Sequence, residues 1–97
     1  MPLVIKKLTF RESFKRDFAR APKDVRQAAE AALEKMLANA SAGALRLHPL
    51  RGYPKPTIFK IDVLSNHSWQ ITFELEDGDT AVLLRLGTHS QIDTRPR

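Results

Sequence analysis

The sequence predicts an α+β domain of order β-α-α-β-β-β, with a mainly antiparallel sheet and two N-terminal helices packed on one face. Three observations carry this. Phe10, Phe14 and Phe18 recur every four residues, and Val25, Ala29, Ala32, Leu33 and Met36 repeat at helical spacing. From Ile58 onward the apolar residues alternate instead, and Asp77-Gly78 marks a hairpin turn between two such runs. A run of helices followed by a run of strands is the pattern of segregated α and β layers. The 97 residues make one domain, 1–97, with room for a modest core and not for a second.

Each element has its own signal. Residues 3–8 read as a short strand. Thr9-Phe10-Arg11-Glu12 fits a capping box, so the first helix is expected to start at Thr9. The Phe10, Phe14, Phe18 stripe is read as core, with Arg11, Lys15, Arg16 and Arg20 facing away from it. Pro22 suits the start of a second helix over about 23–39, whose stripe continues to Leu37, and Gly43 is its expected C-cap. Residues 44–57 form a connection made extended and stiff by Pro49, Pro54 and Pro56. Its leucines, Leu45, Leu47 and Leu50, anchor it, and its polar residues face out.

Three strands follow. In 58–64, Phe59, Ile61 and Val63 oppose Lys60 and Asp62. In 68–75, Trp69, Ile71, Phe73 and Leu75 oppose Ser68, Gln70, Thr72 and Glu74. Residues 80–86 return as the third, mostly apolar strand. With the helices on one face, the other face is expected to present Lys60, Gln70, Thr72 and Arg85 as an open polar surface.

Charge narrows the function. The net charge is +5, and it is unevenly placed: residues 1–60 carry 13 Lys/Arg against 5 Asp/Glu, residues 61–97 carry 3 against 6. Such asymmetry fits a polyanionic partner, most often nucleic acid, or a solubilising helix surface. There is no cysteine, which excludes disulfides and thiolate metal sites and fits a reducing compartment. No apolar run approaches the ~20 residues of a membrane span, and the apolar stretch before Lys6-Lys7 is too short for a signal peptide. The expected location is the cytoplasm, with no membrane partner.

Phosphate-binding glycine loops, HExxH, EF-hand loops and nucleophile elbows are all missing. His48, His67 and His89 lack metal-ligand spacing, so no metal and no cofactor are expected. A basic surface with a few histidines remains. Its simplest nucleic-acid chemistry is metal-independent RNA cleavage by the 2′-hydroxyl, which needs a base, an acid and cations for the phosphorane charge. His89 is well placed for proton transfer: the apolar run Val82-Leu83-Leu84-Arg85-Leu86 ends in Gly87-Thr88-His89, so the scaffold fixes the ring while solvent reaches it. An ordinary surface histidine fits the same position.

Three blocks, His48-Pro49-Leu50-Arg51-Gly52, Trp69 and Gly87-Thr88-His89-Ser90, give the chain a resemblance to a known family. From Leu8-Thr9-Phe10 to His89 it resembles the RelE/ParE superfamily of bacterial toxins from toxin–antitoxin pairs, most closely the YafQ-type mRNA interferases. The resemblance implies a ribosome-dependent endoribonuclease acting on mRNA, inhibited by a cognate antitoxin. It implies that His89 is catalytic and that His48 takes part; for the further histidine and aspartate of that branch, His67 or Asp62 could substitute, or neither. Arg51, Lys55, Lys60, Trp69, Gln70 and Arg85 are the expected substrate-binding residues, with Lys55, Lys60 and Arg85 on phosphate. The chain departs from the pattern twice: Gln70 stands where RelE-type members use arginine, and Asp93 where the branch has an aromatic residue. Those departures favour the alternative, a non-nucleolytic ParE-like toxin or binding module acting on gyrase, nucleic acid or a protein partner.

Overall fold

A computed structural model of the chain describes residues 3–64, 66 and 68–97. Five strands form one sheet in the order β1-β5-β4-β3-β2: β1 Lys7–Phe10, β2 His48–Pro49, β3 Phe59–Asp62, β4 Trp69–Glu76 and β5 Thr80–Thr88. All neighbours are antiparallel except β1, which runs parallel to β5. The helices are α1 Glu12–Arg20, α2 Lys23–Ala38 and a short α3, His89–Thr94. The expected α+β order holds, extended by β2 and α3. Among the described residues, no helix is long and apolar enough to cross a membrane.

The main core lies between the sheet and the two N-terminal helices. Ile61, Ile71, Phe73, Leu83 and Leu86 meet Phe14, Val25, Ala29, Leu33 and Met36. Leu45 seals one end from a 3₁₀ turn, Gly43–Leu45. The alanines of α2 bring its backbone close to this layer, and Met36 and Ala29 are wholly enclosed.

Several local expectations change. The first strand runs over Lys7–Phe10 because β5 offers it a parallel edge, with Lys7 opposite Thr80 and Phe10 opposite Leu83. Thr9 is therefore inside a strand and caps nothing. Helix α1 starts after an extended Arg11 that makes no side-chain cap. Phe10 stays next to Phe14, with ring centroids 5.7 Å apart, but is 46% exposed.

The C-cap of α2 is Asn39, in extended conformation, and Gly43 opens the 3₁₀ turn instead. The connection over 44–57 is not continuously extended: it opens in the 3₁₀ turn and a left-handed Arg46, after which its His48-Pro49 pair joins β3 as an edge strand. Only the Pro49 position lacks a donor, which an edge strand tolerates.

The polar sheet face is not open. Lys60, Gln70 and Thr72 do share that face, but all three are buried. Helix α3 packs on β4 and β5, and the residues after it fold back across the sheet. Thr72 Oγ1 donates to the Pro96 carbonyl at 2.6 Å, and Arg97 Nε donates to Glu74 Oε2 at 2.9 Å. Arg97 Nη2 also donates to the carbonyls of Pro54 and Pro56, at 3.1 and 2.7 Å, fastening the basic loop over 51–57.

Candidate functional site

Sheet register explains why distant residues meet. Directly opposed residues on antiparallel strands point to the same face, as do residues two apart on one strand. His48 opposes Lys60, Asp62 opposes Gln70, and Gln70 opposes Gly87. Gly87 contributes no side chain, and two residues later the chain enters α3 at His89. One row on one face therefore runs His48, Lys60, Asp62, Gln70 and on to His89. These five, with Arg46, line one polar pocket of ≈190 Å³.

The start of α3 fixes His89. Thr88 Oγ1 accepts from the Gln91 N–H at 3.4 Å, and the Thr88 N–H donates to Gln91 Oε1 at 2.9 Å, a reciprocal capping box. The His89 N–H donates to the Ser68 carbonyl at 3.2 Å, tying the helix start to β4's entry. Gly87 is required by this cap: a Cβ there would stand 2.9 Å from Gln91 Oε1 and 3.2 Å from Gln91 Cβ. The Gly-Thr-His-Ser-Gln run is thus a strand-to-helix joint that holds one ring in place. The same signature, a threonine three residues before a glutamine, is legible in the sequence at 88–91.

His48 is held differently. Arg46 follows the 3₁₀ turn in left-handed conformation, φ 49° and ψ 43°. This turns its carbonyl toward His48, whose Nδ1 lies 2.7 Å away. A carbonyl only accepts, so Nδ1 carries the proton and Nε2 is the nitrogen left for exchange. At His89, Nδ1 also faces an acceptor, Asp93 Oδ2, at 3.0 Å.

The remaining wall is charged. Lys60 is 7% exposed and is ion-paired with no described residue. Arg46 Nε stands 3.7 Å from Asp62 Oδ2, and Gln70 Nε2 donates to Asp62 Oδ1 at 3.3 Å. Gln70 Oε1 is buried and accepts no hydrogen bond from a described residue. Gln70 therefore braces Asp62 inside the wall. Among the described residues, no three His, Asp or Glu side chains stand together as a metal-ion site.

Of the expected site residues, the structure brings His48, Lys60, Gln70 and His89 together. Arg51 and Lys55 lie on the exposed loop outside the pocket lining. Trp69 is half-buried opposite Thr88 and packs against the main core. Arg85 is engaged elsewhere: its Nε donates to Asp17 Oδ2 at 2.6 Å and its Nη2 to Asp17 Oδ1 at 3.2 Å. That bidentate pair makes it a clamp between β5 and α1, which is not the phosphate-facing position expected of it. His67 lies outside the described residues. Sequence reasoning missed Arg46, although it sits two residues before His48 in an alternating stretch.

The fold has known counterparts. No family model matches the chain, and no curated protein matches it. Solved structures do. A copper-bound mutant toxin from Helicobacter pylori is 25% identical with a TM-score of 0.62, covering 91% of this chain and 99% of its own. A chain of the E. coli DinJ-YafQ toxin-antitoxin complex is 19% identical with a TM-score of 0.70, covering 91% and 98%. An E. coli RelE toxin mutant in the free state is 18% identical with a TM-score of 0.69, covering 96% and 93%. The chain has the RelE/YafQ toxin fold, as its three sequence blocks imply.

Proposed function

We propose that this chain, with its RelE/YafQ toxin fold, is the toxin of a type II toxin–antitoxin pair that cleaves mRNA on the ribosome. One observation carries the reading: His48 from edge strand β2 and His89 from the end of β5 line one pocket, beside a buried lysine and an arginine. Two imidazoles are the groups that proton transfer near neutral pH requires, and cations answer the charge of a phosphorane.

In the proposed reaction one ring nitrogen takes the proton of the ribose 2′-hydroxyl. The 2′-oxygen attacks the adjacent phosphorus, and the bond to the 5′-oxygen breaks. The second imidazole, protonated, gives its proton to that leaving oxygen. The products are a 2′,3′-cyclic phosphate and a 5′-hydroxyl, with no metal or cofactor involved. Lys60 and Arg46 stabilise the dianionic phosphorane, and His89 is the principal acid or base. His67 and Trp69 are further candidates for contact with RNA, as are Arg51 and Lys55 on the basic loop. The partner that inhibits the toxin is a cognate antitoxin, by likeness to the DinJ-YafQ and RelBE complexes.

Mapping mRNA 5′ ends after induction tests this. Codon-phased cuts, absent with His89→Ala, are expected together with growth arrest. Intact mRNA accompanied by DNA damage would instead establish a gyrase-directed, ParE-like action, and full toxicity of His89→Ala would remove His89 from the mechanism.

A further inference from the structure

We propose that Asp93 is a positioning residue for His89, holding the ring in its Nδ1–H tautomer so that Nε2 is the atom that exchanges protons. The proposal deepens the cleavage reading and rests on it for the role of His89. Residues four apart on a helix share a face, and α3 begins at His89, which places Asp93 one turn on. Its Oδ2 stands 3.0 Å from His89 Nδ1.

A carboxylate presents only lone pairs. An unprotonated Nδ1 at that distance would set lone pair against lone pair, whereas a protonated Nδ1 is attracted. The proton therefore stays on Nδ1, and in the neutral ring the basic lone pair belongs to Nε2. The Arg46 carbonyl imposes the same tautomer on His48. Two unrelated acceptors, one backbone and one side chain, thus leave both pocket histidines with Nε2 for exchange. An acid–base pair working on one phosphodiester needs this convergence: one Nε2 enters as a base, the other as N–H.

The pair is not a stability device. His89 and Asp93 side chains are 61% and 56% exposed, and exposed ion pairs contribute little to folding. The helix start is held independently of the pair, by the capping box and by the His89 N–H bond to Ser68. Removing the Asp93 carboxylate leaves this backbone joint in place and releases only the ring.

The test is nitrogen-resolved NMR of the imidazoles in the full chain, at a pH where the rings are neutral. The unsubstituted protein should show His89 as Nδ1–H. Asp93→Ala should shift His89 toward Nε2–H while His48 stays as Nδ1–H, an internal control for the fold. In cleavage assays Asp93→Ala should lower kcat by about tenfold, a part of what general acid–base catalysis supplies, with KM little changed. Asp93→Glu should recover both signals. A His89 tautomer indifferent to Asp93→Ala overturns the proposal. A chain that cleaves no RNA while its His89 tautomer follows Asp93 upholds the positioning and overturns the cleavage reading.

Discussion

Arg85 and Asp17 form a two-point ion pair, 2.6 Å from Nε to Oδ2 and 3.2 Å from Nη2 to Oδ1, that joins the last strand to the first helix. About four-fifths of each side chain is buried. Asp17 Oδ2 also accepts from the Leu86 N–H at 3.1 Å. This clamp sits where β5 departs from regular pairing: the register with β4 shifts between Thr72 and Phe73. The Leu84 carbonyl beside that irregularity accepts from Ser13 Oγ at 2.6 Å, a second tie between α1 and β5.

Breaking the clamp from either side should destabilise the domain. Removing one partner strands a largely buried charge, a loss of roughly 2–4 kcal/mol. Asp17→Ala and Arg85→Ala should each lower stability in urea by that order, and the double variant should lose clearly less than the sum. Additive losses would show the two residues to be uncoupled.

Lys60 should behave in the opposite way. It is buried and ion-paired with no described residue, so an apolar replacement of similar length removes a desolvation cost. Lys60→Met should fold with equal or greater stability yet bind single-stranded RNA more weakly. One fewer phosphate contact predicts a salt-dependence slope smaller by about 0.7. Binding with an unchanged slope would place Lys60 off the phosphate path.

The strand-to-helix joint gives a third expectation. Thr88→Ala removes one half of the capping box and should cost about 1 kcal/mol. Gly87→Ala forces Gln91 out of its place and should lose the other half. Both should lower cleavage more than they lower stability, because the joint also carries His89. Thermal melts alongside cleavage rates separate the two effects.

The phenylalanine stripe supplies a fourth. Phe14 is 3% exposed in the main core, so Phe14→Ala should cost about 3–5 kcal/mol. Phe10, at the end of β1, should cost far less on the same change. Equal losses would mean that the three rings act as one buried stripe.

How far the sequence spoke differs from residue to residue. It placed Phe14, Val25, Ala29 and Met36 on core-facing helix stripes, and Ile61, Ile71 and Phe73 on core-facing strands. Burial follows from periodicity in such places, because each apolar side chain is sorted by its own element. It misplaced Thr9, because the same Thr-x-x-Glu signature is legible in a strand and only the parallel edge of β5 decides between them. It named His48 and His89 among its catalytic candidates, and the matching signature at Thr88-Gln91, which sets the start of α3, is legible there too.

By itself, then, the sequence determined the α+β class, the order of the main helices and strands without β2 and α3, and which histidines merit attention. These depend on spacing along one chain. Only the tertiary structure decided that His48, Lys60, Gln70 and His89 face one pocket, since register between strands is a property of pairs. It alone decided that Arg85 belongs to Asp17, 68 residues away. It also decided that the polar face is closed by the returning tail. A charged side chain reads the same in sequence whether it will meet solvent, a substrate or a counter-charge. The choice among them is made by whichever group the fold brings within hydrogen-bond reach.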